Sequence, residues 1–309
     1  MGDVLAGIHA TWEFDTDSVL IRFERGIRAP KLFQSLRERR VPHAALSSVT
    51  LTPGKRGTVV LRAVPRPGAD PLLEAAAGQL DDSRDPYRLV LPAAREPLAE
   101  YYAGELRAAL GPGSAFPAER FLVAAPEAPM HFKAYDGRAE FDGSLVSFRW
   151  SRTGASSAKW KAGDQTFPVT ELCGVEWRSP EVFNGHLRLV RPGTDPAHLG
   201  AAGPGAFAQA DQDPAAVVFG LGYGPVHESL PFAAAVLQSV RTTQTVRVPQ
   251  AVRVSQPASL VAAAVPAGAG RRDPAEIAER IRHLGDLYEA GLVTDAEFTA
   301  KKAQLLDEL

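Results

Sequence analysis

Apolar and polar positions alternate in short runs through the first 240 residues, and the period lengthens only near the end of each half. Ile8–Phe14 and Ser18–Arg25 alternate on either side of Asp15-Thr16-Asp17, a pattern that predicts a β-hairpin. Short strands are expected near Arg40–Pro42, Leu46–Leu51, Thr58–Val64 and Tyr87–Leu91. In Arg95–Leu110, the positions Leu98, Tyr101, Tyr102, Glu105, Leu106 and Leu110 fall at near-helical spacing and predict a helix with one apolar stripe. The second half repeats the plan. Ala134–Phe141, Leu145–Arg149, Cys173–Arg178, Gly185–Val190 and Val217–Leu221 read as strands, and a helix is expected from about Ser229 to Val240.

The two halves also match residue by residue. At a shift of 126, Val41-Pro42 meets Phe167-Pro168, Leu46 meets Leu172, Val49 meets Val175, and Leu61-Arg62 meets Leu187-Arg188. Glu13-Phe14-Asp15 recurs as Glu140-Phe141-Asp142, and Pro67-Gly68 and Asp70-Pro71 recur as Pro192-Gly193 and Asp195-Pro196. Shifts that differ by one residue between blocks are what loop insertions leave, so the order of the blocks points to a duplication. Each unit of six or seven antiparallel strands with a terminal helix can close a barrel or a sandwich, the helix covering one open end. The predicted fold class is therefore mainly β: two tandem antiparallel barrels and a carboxy-terminal helical hairpin. The expected divisions are 1–110 for the first copy, 111–132 for a linker, 133–240 for the second copy, 241–272 for a flexible tether, and 273–309 for the hairpin. The tether carries five arginines, no Asp, Glu or Lys, and no persistent period.

The duplicated plan resembles the pleckstrin-homology-like superfold. The repeated Pro–x–x–x–Leu–x–x–Val block resembles a bacterial family of unknown function, in which two such units precede a short helical domain. That resemblance implies a fold and no activity.

Start and stop signals are densest in 273–309. Asp273-Pro274-Ala275-Glu276 supplies an N-cap, a proline at the first helical position and an acid in the first turn. Gly291 ends that helix, and Thr294 with Glu297 forms a capping box, with Val293 and Phe298 as a hydrophobic staple. The run from Leu284 through Leu306 closely resembles the SHOCT domain, a short carboxy-terminal helical hairpin, and the resemblance implies oligomerisation. Its large apolar residues are Ile277, Ile281, Leu284, Leu287, Tyr288, Leu292, Val293, Phe298, Leu305, Leu306 and Leu309. Two helices cannot cover both apolar faces by themselves, so another surface is expected against them. The long tether favours another copy of the hairpin, which predicts a homo-oligomer.

Charge and composition mostly exclude. A net charge of −2 supplies no global field for nucleic acid, which is not expected as a partner. Met1–His9 has no apolar core, and no run is long enough to span a bilayer, so the cytoplasm is the expected compartment. Cys173, the single cysteine, is expected as a small buried hydrophobe in a strand, and Trp12, Trp150, Trp160 and Trp177 as core. Gly220-Leu-Gly222-Tyr-Gly224 imitates a dinucleotide fingerprint, but Pro225 replaces its third glycine and no acid follows at the right distance. No catalytic residue, metal or cofactor is predicted, and a non-enzymatic binding or scaffold protein is the expectation. One constellation invites a ligand. Arg22, Arg25, Arg28 and Lys31, followed by Arg37, Arg39 and Arg40, crowd the region after the second strand. Arg149, Arg152, Lys159 and Lys161 occupy the corresponding stretch of the second copy with no acid between them. Several guanidinium and ammonium donors can surround one phosphate, so these eight residues — the first four and the last four — are candidate anion or peripheral-membrane contacts.

Overall fold

Proline and a buried leucine punctuate each copy at the same place. The computed structural model describes residues 3–182, 184–193, 209–220 and 222–247. In it Pro42 and Pro168 each end a strand, a single 3-10 turn follows (His43–Ala45, Val169–Glu171), and Leu46 and Leu172 re-enter the core. The fixed φ of proline sets the turn, which is the physical content of the Pro–x–x–x–Leu block.

The first copy runs β1 (Asp3–Ala6), β2 (Ala10–Phe14), β3 (Ser18–Phe23), α1 (Lys31–Leu36), β4 (Glu38–Pro42), β5 (Leu46–Pro53), β6 (Thr58–Pro65), α2 (Pro71–Ala76), β7 (Arg88–Pro92) and α3 (Glu96–Ala108). The second runs β8 (Met130–Lys133), β9 (Gly137–Phe141), β10 (Leu145–Trp150), α4 (Ser157–Ala162), β11 (Gln165–Pro168), β12 (Gly174–Arg178), β13 (His186–Val190), β14 (Ala216–Val218) and α5 (Val226–Arg247). Strands β1-β2-β3-β4 and β5-β6-β7 form two antiparallel sheets, and β8-β9-β10-β11 and β12-β13-β14 repeat them. Registers repeat too: Ala10 faces Phe23 and Gly137 faces Trp150. The helices α1 and α4 end alike, on Arg37 and Gly163 at φ 61 and 69. The duplication read from sequence is thus a duplication of topology.

The expected closed barrels are not formed. In the first copy an isolated bridge, Ile8 to Val90, joins the two sheets, and the four sheets stay separate. The two copies instead share one continuous hydrophobic core within one compact unit. Helix α5 makes that core continuous. It packs on β8 and β12 of its own copy and on α1 and α2 of the other. Phe232, fully buried, meets the Phe132 and Phe141 rings edge-on at 5.0 and 6.1 Å. Leu230, Ala234 and Leu237 lie on the opposite helical face and are buried as well. A helix apolar all round has two surfaces to cover. Helix α3 holds the equivalent place in the first copy, its Tyr102 stacking on Phe14 at 4.2 Å as Phe232 meets Phe141. Matching Tyr102 to Phe232 puts Glu100, Gly104 and Arg107 where α5 has Leu230, Ala234 and Leu237. Glu100 and Arg107 form an exposed ion pair at 2.8 Å, so α3 keeps that face in water.

Several expectations need correction. The short helices α1, α2 and α4 and the separate strands β1, β8 and β11 add to the elements read from sequence. Helix α5 runs to Arg247, through the first residues of the expected tether. Thr242, Thr243 and Thr245 there bond back to carbonyls four residues earlier, and Arg241 pairs with Glu74. The connection between copies is tied down: Arg66 donates to the Phe116, Pro117 and Ala44 carbonyls, and Gln238 of α5 accepts from the Ala125 amide at 2.7 Å. Cys173 precedes β12 and is exposed, and Trp160 on α4 is half exposed, whereas Trp12 and Trp177 are core. In α3 the stripe shifts to Ala99, Tyr102, Ala103 and Leu106, leaving Leu98 and Tyr101 exposed. The rest of the tether, the hairpin 273–309 with all eleven of its apolar residues, and the Asp195-Pro196 match lie outside the described residues.

A shared core predicts shared unfolding. Phe232→Ala should cost about 3–5 kcal/mol and move one urea transition, monitored by tryptophan fluorescence from both copies. Two separate transitions, with only the second moved, would contradict the common core.

Candidate functional site

The loop after β3 carries the first basic group. Strand β3 ends at Phe23, which stacks on Phe33 of α1 at 4.6 Å, and α1 buries Leu32, Phe33 and Leu36. Residues 24–30 must therefore cross between two buried anchors, and 24–28 remain at the surface while Ala29 is buried. Arg22 stays on the sheet and is met by Glu13 and Glu38 at 3.2 and 3.8 Å. Arg25 is exposed, and Ile27 beside it is wholly in solvent. Arg28 and Lys31 line a cleft of about 720 Å³ at the junction of the copies, with His9, Arg84, Glu181 and His227. Arg39 and Arg40 serve the fold. Arg39 is buried against Asp70 at 2.6 Å, where Tyr87 also donates to the same carboxylate, and Arg40 pairs with Asp15.

The second group separates. Lys159 is fully buried, its ammonium 2.5 Å from Asp136 and over the Trp150 ring at 5.1 Å. It occupies the place that Phe33 holds in the first copy, so a cation–π contact replaces a stacked pair. The other Asp136 oxygen accepts the Val218 amide at 3.1 Å. Burial pushes the Asp136 carboxyl up and the Lys159 ammonium draws it back down. Lys159 is therefore no ligand contact. Arg149, Arg152 and Lys161 are exposed, but none of them lines the junction cleft.

The cleft floor is the turn before α5. Gly222 and Gly224 sit at φ 81 and 60, and a Cβ on Gly224 would stand 2.2 Å from the Phe219 ring. Glycine there lets the chain fold tightly from β14 into the helix. Helix α5 then presents its amino-terminal turn, which favours negative charge. His227 lies in that turn. Burial holds its imidazole below the ordinary range, Glu228 pulls it up, and Lys31 pushes it down. Arg84 binds Glu181 and stands 3.6 Å from Asp81, so the carboxylate in the cleft already has a partner. Arg28 and Lys31 have no ion pair among the described residues. The arrangement can hold an anion. His9, Arg84 and His227 join the cleft from distant positions, and no local sequence signal marks them.

The sequence model of the family described as Domain of unknown function (DUF4429) matches residues 12–107 and 139–237, well over half of the chain. The Short C-terminal domain (SHOCT) model matches residues 279–306. No curated protein matches the chain.

The buried pair in the second copy makes a direct prediction. Lys159→Met should destabilise by about 3–5 kcal/mol, because it strands a buried carboxylate. Adding Asp136→Asn should recover most of that loss, as read by chemical denaturation.

Proposed function

The chain belongs to the DUF4429 family, and on that footing we propose that it is a non-catalytic binding protein that self-associates through its carboxy-terminal segment. Its two fused copies act as one recognition platform for a protein or anionic partner, and the cytoplasm is its working compartment. The observation that carries this reading is the shared helix α5, which brings residues of both copies to one cleft. The finer description of each copy as a pleckstrin-homology-like unit is supported by seven strands followed by a helix in both. Among the described residues no helix is long and apolar enough to cross a membrane. The SHOCT segment supplies valency. Tethering several platforms turns weak contacts into useful ones, by about 10²–10⁴ where geometry permits.

Light scattering tests the self-association. The full chain should be an oligomer, and a chain ending at Gly270, or one carrying Leu284→Asp, should be a monomer. A full-length monomer at tens of micromolar would overturn the proposal.

A second reading concerns the cleft ligand, and it is favoured by Arg28 and Lys31, which have no ion pair among the described residues. An anionic headgroup or phosphate would complete their hydrogen bonding. Sedimentation with phosphatidylglycerol–phosphatidylcholine vesicles at low ionic strength should show binding that salt abolishes. Arg25→Glu with Arg28→Glu and Lys31→Glu should remove it. Wild-type protein that ignores such vesicles would eliminate the headgroup.

A further inference from the structure

Across the second copy's four-stranded sheet, the register sets three cations in a single row. Lys133 on β8 lies directly opposite Arg138 on β9, and Arg138 lies directly opposite Arg149 on β10. Strands spaced ~4.8 Å apart keep the three within roughly 10 Å of one another. Like charges directly opposite on neighbouring strands are destabilising.

The duplication supplies an internal control. The same row in the first copy reads Ala6, Thr11, Arg22 and Glu38. There the one cation is met by Glu13 and Glu38, so the sheet is built equally well without the charge conflict. In the second copy the conflict is only partly relieved. Glu140 is shared, at 3.0 Å from Arg138 and 4.0 Å from Arg149. Asp164, next along the row, accepts from the Trp150 amide. Glu228 also lines the groove and lies 3.7 Å from His227. Lys133 is exposed with its ammonium 5.3 Å from the centre of the Tyr223 ring, and the Arg138 and Arg149 side chains are 51% and 67% exposed. All three cations line a groove of about 760 Å³ on this sheet, and no residue of that groove lines the junction cleft.

We propose that this row binds a phosphate ester carrying two or more negative charges, and that the second copy has this site while the first does not. Two guanidinium forks can each take a pair of phosphate oxygens, and the lysine adds a third charge that follows the ligand. Departures from good charge pairing concentrate at functional sites, and here an anion between the strands turns mutual repulsion into shared attraction. The site uses different residues from the cleft reading above and stands or falls without it.

Calorimetry of the full chain with inorganic pyrophosphate at low ionic strength tests the proposal. The informative variant carries Lys133→Ala and Arg138→Thr, which copies the first repeat into the second. It should bind pyrophosphate more than tenfold more weakly, melt no lower than wild type without ligand, and lose the rise in melting temperature that pyrophosphate gives wild type. Arg138→Gln alone, which keeps side-chain length, should weaken binding several-fold. Arg28→Glu with Lys31→Glu should leave this binding intact, which separates it from the cleft. Phosphatidylglycerol–phosphatidylcholine vesicles form the second arm. Row-dependent capture of vesicles identifies a lipid headgroup as the source of the phosphate, and binding of pyrophosphate alone identifies a soluble ester. Wild-type protein that binds neither, or a Lys133→Ala/Arg138→Thr variant that binds as wild type does, would overturn the site.

Discussion

Burial of α5 on both of its faces is the constraint from which the rest of the structure follows. A helix with Phe232 on one side and Leu230, Ala234 and Leu237 on the other is insoluble unless two surfaces meet it. Its own copy supplies one, and α1 and α2 of the first copy supply the other. The first copy's helix, with Glu100 and Arg107 on the corresponding face, needs only one surface and takes only one. The duplication is therefore symmetric in topology and asymmetric in packing, and the asymmetry fuses the copies into a single body. Polar contacts follow the same seam: Gln79 donates to the Trp177 carbonyl and accepts from the Ser179 amide, and Arg84 reaches Glu181.

That fusion decides what surface is available for binding. The loop after β3 comes to the seam because α1 is held there by α5, and Arg28 and Lys31 arrive with it. In the second copy helix α4 turns Lys159 inward to Asp136 instead. Two basic stretches that look alike along the chain are thus put to different uses. One lines a cleft between copies, and the other supports the interior while its remaining cations stay on the surface.

Much of the β architecture was legible because alternation reports one buried face, and duplication reports itself. Less legible were features that depend on partners far along the chain. A six-residue helix such as α1 is unstable alone and exists because Leu32, Phe33 and Leu36 find a core, which no local period announces. Strand β1 was not expected, and the strand expected over Ile8–Phe14 ran through the turn before β2, because that turn uses His9 at φ 68, where sequence expects glycine. Lys159 resembled a ligand because its carboxylate is 23 positions away in the chain, in a turn with no other mark. Barrel closure depends on hydrogen bonds between sheets, which alternation within strands does not encode. The helix expected from about Ser229 to Val240 was found, but that both of its faces would be covered was not part of that expectation. The candidate cations were half legible: their clustering was visible, and their division between cleft, core and sheet was not.

Hydrogen exchange of the full chain, followed by mass spectrometry, tests the central claim most directly. If α5 joins the copies into one body, amides in its buried centre and amides in β5, β6 and β7 of the first copy exchange only through the same global opening, and mild denaturant lowers their protection together. First-copy strands that open while α5 remains protected would contradict the account.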